Sequence, residues 1–212
     1  MKTKVLIYRG KEISVHYDVV RCIHAAECVH GLPQVFDPKR KPWVSPDQAT
    51  PEEVLHGVSA CPTGALSVRG VTAAENKENT TNIQPNGPLY AAGDIEIKTP
   101  DGELLLNDTR IALCRCGASQ NKPLCDGAHA KAGFADAGAL NNTGAAPVKR
   151  ERGKLTFMPL PGGPLLFEGP CELTGANGGR AYPEKGALCR CGASQNKPFC
   201  DGSHSSIGFS GE

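Results

Sequence analysis

The sequence predicts an α+β chain built from small modules: an α+β domain at the N-terminus, then a β-rich tandem pair with short helices. Three observations predict it. The block Cys114–His129 recurs almost letter for letter as Cys189–His204. The first seventy residues hold one well-marked helix signal among short strand signals. Residues 72–82, TAAENKENTTN, are polar without apolar period and read as a linker between regions of different composition.

Glycine (25) and proline (17) are plentiful and only 5% of the 212 residues are aromatic, which suits loop-rich modules organised around sites. The formal charge of +1, from 23 basic and 22 acidic residues, points to neither a nucleic-acid nor a membrane partner. The opening run MKTKVLIYRGKEISV is too short in apolar residues for a signal peptide or a spanning helix, so the expected location is cytoplasmic. Ten cysteines in such a chain favour metal over disulfides. A disulfide framework is the competing reading, and histidines at fixed spacing from the cysteines speak against it.

In chain order, residues 4–8 and 13–17 alternate around Arg9-Gly10-Lys11 and read as a hairpin. Cys22 and Cys28 follow at C-x5-C, with a short strand expected at Trp43-Val44. Thr50-Pro51-Glu52-Glu53 is a capping box with proline at the first helical position. Val54, Val58 and Cys61 then share one face, which turns Cys61 towards the interior, and Pro62 ends the helix. Ala65–Val68 reads as a closing strand.

Cys22-x5-Cys28, Pro33-x-Val35-Phe36-Asp37 and Cys61-Pro62-Thr63-Gly64 resemble a single-cluster bacterial-type ferredoxin over about residues 14–70. The resemblance implies a ferredoxin-like domain over residues 1–71, with Cys22, Cys28 and Cys61 holding a cubane-type cluster. Complete four-iron cubanes use C-x2-C-x2-C with a distant Cys-Pro, and here the middle position is Ala25. Three thiolates suit a [3Fe-4S] cluster. A [4Fe-4S] cluster with water or His24 as fourth ligand is the alternative, against a surface position for His24.

The repeat is wider than its cysteines. Asn86-Gly-Pro-Leu89 matches Gly162-Gly-Pro-Leu165, and Gly133-Phe134 matches Gly208-Phe209. Strands are expected around Ile83, Leu89, Ile95, Ile97 and Leu104–Leu106, and around Leu155, Phe157, Leu165–Phe167 and Leu173. Asp101-Gly102 and Asn177-Gly178 mark hairpin turns, both positions of each needing positive φ. The first unit spans 83–135, a connector 136–153 and the second unit 154–212.

Both blocks read C-x-C-x8-C-x3-H and, with Ser119, Pro123 and Asp126-Gly127 and their counterparts Ser194, Pro198 and Asp201-Gly202, resemble the CDGSH iron–sulfur family over about residues 83–209. Single-motif members form homodimers that share a β-rich cap, so a tandem copy implies a monomer with an internal CDGSH pseudo-dimer. A [2Fe-2S] rhomb needs two ligands on each iron. Cys114 with Cys116, and Cys189 with Cys191, would hold one iron of each cluster. If Asp126 caps a helix, Cys125 with His129 would hold the other, as would Cys200 with His204. Neutral imidazole favours the reduced cluster and lets protons compete for the ligand. Arg115, Lys122, Arg190 and Lys197 either add to that bias or form a solvated rim. Zinc on three cysteines and one histidine is the alternative metal.

Cys171 aligns with Ile95 and is expected as a buried free thiol. His16, His30 and His56 lack partners at ligand spacing. No nucleophile elbow, phosphate loop or dinucleotide fingerprint is present, so no catalytic site is expected. The expected function is one-electron transfer between protein partners, a reductase and an acceptor. The alternatives are a labile-cluster donor or store that serves apo-acceptor proteins, and a redox or iron sensor.

Overall fold

The computed structural model describes residues 1–69, 78–141 and 152–211. It is α+β, mostly sheet with few helices, and divides into two compact units, Lys2–Glu75 and Asn76–Glu212.

The N-terminal unit holds an antiparallel sheet in the order β1-β2-β3, formed by β1 (Val5–Arg9), β2 (Ser14–Asp18) and β3 (Leu66–Arg69). The expected hairpin is β1–β2, with Tyr8 opposite Val15. Trp43-Val44 makes only an isolated bridge, Val44 to Phe36, instead of a strand. The short helix α1 (Glu27–Gly31) follows Cys22, and α2 (Pro51–Ser59) carries the capping box. Thr50 Oγ1 accepts the Glu53 N–H at 3.3 Å, and Glu53 Oε2 accepts the Thr50 N–H at 2.8 Å. The helix stops at Ser59, two residues short of Cys61. Cys61 is buried all the same, beside Val54, Val58 and Phe36.

In the C-terminal unit the first copy supplies β4 (Thr80–Ile83), β5 (Leu89–Lys98), β6 (Leu104–Leu113) and α3 (Ala128–Lys131). The second supplies β7 (Leu155–Pro159), β8 (Leu165–Glu168), β9 (Glu172–Thr174), β10 (Arg180–Ala181), β11 (Lys185–Leu188) and α4 (Ser203–Ser206). Residues 80–82, inside the stretch expected as linker, belong to β4. Residues 72–77 of that stretch, and 142–151 of the connector, lie outside the described residues.

All eight strands share one sheet in the order β10-β9-β4-β5-β7-β8-β11, with β6 paired to β5. The copies are interleaved: β4 runs parallel to β9, and the second half of β5 runs parallel to β7. Thr81 pairs with Leu173, and Ile97 with Phe157. At the repeat offset Thr81 corresponds to Phe157 and Ile97 to Leu173, so the same pairing is made twice with the copies exchanged. Apolar residues of both copies, among them Ile95, Ile97, Leu155, Phe157 and Leu173, fill one core.

Proline explains where the copies differ. The long β5 passes Asp94 with a register shift, and the Asp94 N–H is taken by Asn79 Oδ1 at 2.9 Å. The second copy has Pro170 there, without an N–H, and its strand is split into β8 and β9. Pro183 likewise falls between β10 and β11, where β6 is continuous. At the hairpin turns only the glycines, Gly102 (φ 88°) and Gly178 (φ 80°), take positive φ; Asp101 and Asn177 do not.

Candidate metal centres

Each repeated block folds as a loop pinned to the last strand of its copy. The Cys114 N–H donates to Pro123 O at 2.9 Å, and the Cys125 N–H donates to Ala112 O at 2.8 Å. Cys189 and Cys200 make the same bonds to Pro198 and Ala187, at 2.8 and 2.9 Å. Inside the arm Ser119 Oγ donates to Leu124 O at 2.6 Å, as Ser194 Oγ does to Phe199 O at 2.7 Å. Asp126 does not occupy the cap position of α3; Gly127 does, in left-handed conformation. Asp126 instead clamps the loop, because Oδ2 accepts the Gln120 N–H at 2.8 Å and Oδ1 the Ala128 N–H at 3.0 Å. Asp201 repeats this with Gln195 and Ser203. The Ser203 hydroxyl, which donates to Oδ1 at 2.6 Å, together with these two bonds holds the Asp201 carboxyl well below its usual range.

The donor atoms come in pairs. Cys114 Sγ and Cys116 Sγ lie 3.7 Å apart, and Cys125 Sγ and His129 Nδ1 3.3 Å apart. The second copy gives the same two separations for Cys189 with Cys191 and for Cys200 with His204. Two thiolates about 2.3 Å from one tetrahedral metal stand about 3.8 Å apart, so each cysteine pair matches the bite of a single metal atom. Among the described residues no three Cys, His, Asp or Glu side chains gather as one mononuclear site would require.

Backbone N–H groups face the sulfurs. Ala118 N lies 3.4 Å from Cys116 Sγ and Gly127 N 3.4 Å from Cys125 Sγ, and Gly202 N repeats the latter at Cys200. Burial pushes the Cys125 thiol up to about 12, a cost that a bound cation offsets. Burial lowers the His129 pKa, so the neutral, ligating ring is favoured.

The two loops meet. Cys116 and Cys191, one candidate donor from each block, form an antiparallel bridge. A Cβ on Gly117 would lie 2.8 Å from Cys191 O, and one on Gly192 2.9 Å from Cys116 O. Only glycine allows this approach.

The rim reading of Arg115 and Arg190 is overturned, for they are 2% and 4% exposed. Arg115 donates to Gly87 O at 2.8 Å, Gln84 O at 2.5 Å and Asp136 Oδ1 at 2.5 Å, and lies 5.2 Å from the Phe134 ring centroid. Arg190 donates to Gly163 O at 2.9 Å, Gly211 O at 3.0 Å and Leu160 O, with Phe209 under its guanidinium. Each arginine straps its cysteine turn to the start and end of its own copy. The sequence carried no signal for this, because an arginine in C-R-C serves a rim or a strap equally well.

In the N-terminal unit Cys22, Cys28 and Cys61 line one pocket, together with Tyr17, Trp43 and Thr63. Three chain segments supply the sulfurs: the turn after β2, α1, and the turn after α2. Burial and the nearby Cys61 push the Cys28 thiol up to about 11. His24 is exposed, its Nδ1 4.0 Å from Cys22 Sγ, whereas Ala25 lines the pocket. His30 and His56 are exposed. Cys171 is 7% exposed and donates to Thr81 Oγ1 at 3.3 Å within the shared core.

Paired donors in two loops and three cysteines around one pocket define a chain built to bind iron–sulfur groups, and known proteins agree. Residues 8–70 match the family model described as a divergent 4Fe-4S mono-cluster. Residues 86–130 and 162–205 match the iron-binding zinc finger of CDGSH type. The N-terminal part is 39% identical over 62 residues to the uncharacterized protein YjdI of Escherichia coli strain K12, and to its counterpart in Escherichia coli O157:H7. Each match covers 29% of this chain and 82% of the relative. No solved structure matches. The chain belongs to the divergent 4Fe-4S mono-cluster family through its N-terminal domain and carries two CDGSH-type domains after it.

Proposed function

We propose that the protein is a one-electron carrier between protein partners, with two [2Fe-2S] clusters and one [3Fe-4S] cluster. The observation that carries this is the pairing of donors at 3.7 and 3.3 Å, identical in both loops. Cys114, Cys116, Cys125 and His129 hold the first cluster; Cys189, Cys191, Cys200 and His204 hold the second; Cys22, Cys28 and Cys61 hold the third. When bound, such clusters accept and release single electrons. The chain's part is to fix the ligands, neutralise part of their charge with backbone N–H groups and bury the sulfurs. Ala25 on the pocket wall supports the three-iron form, because it puts a methyl group where a fourth thiolate would stand. The reciprocal pairing of the copies supports a monomer whose repeats form an internal pseudo-dimer, in a chain that begins with a ferredoxin-like domain. Among the described residues no helix is long and apolar enough to cross a membrane, and we place the protein in the cytoplasm as part of this proposal.

A second reading, donation of labile clusters to apo-acceptors, draws support from the partial exposure of His129 and His204. Stopped-flow reduction by a ferredoxin reductase, set beside transfer of clusters to an apo-ferredoxin, separates the two. Fast reduction without transfer supports the carrier; transfer without fast reduction replaces it by the donor. Roughly seven irons and eight sulfides per chain mark the three-iron form, and roughly eight irons the four-iron form.

A further inference from the structure

Thr63 and Tyr17 line the N-terminal pocket beside its three cysteines. Thr63 is 3% exposed, and its Oγ1 lies 3.5 Å from Cys61 Sγ. The same oxygen accepts the Ala65 N–H at 3.1 Å, which leaves the hydroxyl hydrogen free to turn to the sulfur. Arg21 holds the Thr63 carbonyl at 2.8 Å, so the residue is pinned from both sides. Tyr17 lines the same pocket as Cys22, its hydroxyl pKa held well above the usual range by burial and by the neighbouring Cys22, and its ring meets Trp43 edge-on at 5.0 Å.

We infer that Thr63 and Tyr17 tune the reduction potential of the N-terminal cluster by donating hydrogen bonds to the thiolates of Cys61 and Cys22. The inference rests on the reading that these cysteines hold a cluster. A thiolate that accepts a hydrogen bond presents less negative charge to the iron. That favours the state with one more electron and raises the potential. In the CDGSH-type loops, Cys116, Cys125 and Cys200 accept backbone N–H groups, which any sequence supplies. The hydroxyl donors of the N-terminal pocket are side chains, so this potential is set by residue choice. Both are positioning residues with no ligand role.

The test is an EPR-monitored redox titration of the intact protein, with dithionite as the electron source. Thr63→Val keeps the shape of threonine and removes the donor; Tyr17→Phe does the same for tyrosine. Each is expected to lower the midpoint of the N-terminal cluster alone, by on the order of tenfold in the reduction equilibrium, about 59 mV for one electron. Thr63→Ser restores the wild-type value. Cluster retention is read from Trp43, the only tryptophan of the chain, which lines the pocket and whose fluorescence a bound cluster quenches. Unchanged potentials in cluster-bearing Thr63→Val and Tyr17→Phe proteins overturn the inference. So does a Thr63→Ser protein displaced as far as Thr63→Val. If Thr63→Val fails to retain the cluster, Tyr17→Phe and Thr63→Ser decide alone. A Cys61→Ser protein with wild-type iron, sulfide and Trp43 emission refutes the underlying cluster assignment instead.

Discussion

In the first copy of the repeat the Arg115 guanidinium ends on the Asp136 carboxylate, whereas in the second Arg190 ends on the Gly211 carbonyl. The loops they support share their donor separations and most of their backbone bonds. Cys125 is nevertheless buried at 2% exposure, while Cys200 is half-buried. The first copy also has long unbroken strands where Pro170 and Pro183 divide the second. The spacing of the candidate donors is therefore a local property of the sixteen-residue block, the same in both copies. The support beneath it is a property of the fold and differs between copies.

The histidines give the largest test of that division. Visible absorbance of the wild-type protein is expected to bleach as pH falls towards roughly 6, where protons take the imidazole from the metal. The double variant His129→Cys/His204→Cys should keep its colour, and acid lability that persists in it would remove histidine from the ligand sets. Burial lowers the His129 pKa, so its ring stays neutral and ligating to lower pH. In His204→Cys, where His129 is the only remaining histidine of the two sets, bleaching should therefore start below the free-imidazole value of about 6.5.

The arginine straps come next. Arg115→Ala leaves a partly buried carboxylate without its cation and is expected to cost about 3–5 kcal/mol in urea unfolding. Arg190→Ala leaves only carbonyls unpaired and should cost less, about 1–3 kcal/mol. Equal losses would mean that the ion pair adds nothing to its copy. The pH profile gives a second check. Burial alone would raise the Asp136 pKa, but the hydrogen bond and charge of Arg115 outweigh it and hold the carboxyl below its usual range. Its stabilisation is complete above the unfolded carboxylate value of about 3.9 and is lost as pH falls through the lower folded value. Arg115→Ala should flatten that acid limb.

Much of this was legible in the sequence, and the reasons are physical. The hairpin at Gly10, the helix opened by Thr50 and the repeat with its spaced cysteines and histidines follow from local patterns, and local patterns were enough to find them. The parallel pairing of Thr81 with Leu173 and of Ile97 with Phe157 joins residues far apart in the chain, and no short-range signal specifies a partner strand. The straps were hidden for the same reason, since Arg115 finds its carbonyl partners some thirty residues upstream. Thr63 and Tyr17 carried no signal either, because a hydroxyl becomes a sulfur donor only once the turn after α2 and the end of β2 face one pocket.

The glycine contact between the copies should respond symmetrically where the straps do not. Gly117→Ala presses on the carbonyl of Cys191, and Gly192→Ala on that of Cys116. Each also places a side chain at positive φ, 79° and 86°. Each is expected to cost about 2 kcal/mol in urea unfolding. A large loss from one and none from the other would show that the close approach matters in one direction only.

Cys171 carries the smallest effect and sets the boundary of the ligand sets. It stands where the first copy has Ile95, in the shared core, and burial pushes its thiol up to about 11. Its sulfur donates to Thr81 and its place is apolar in the first copy, so it behaves as a small apolar residue. Cys171→Ala should leave iron and sulfide per chain unchanged and cost about 1 kcal/mol for the cavity it opens. Cys125→Ser and Cys200→Ser should each lower the iron content. Loss of iron from Cys171→Ala would place a tenth cysteine among the ligands and break the equivalence of the two sets, because Ile95 offers the first copy nothing comparable.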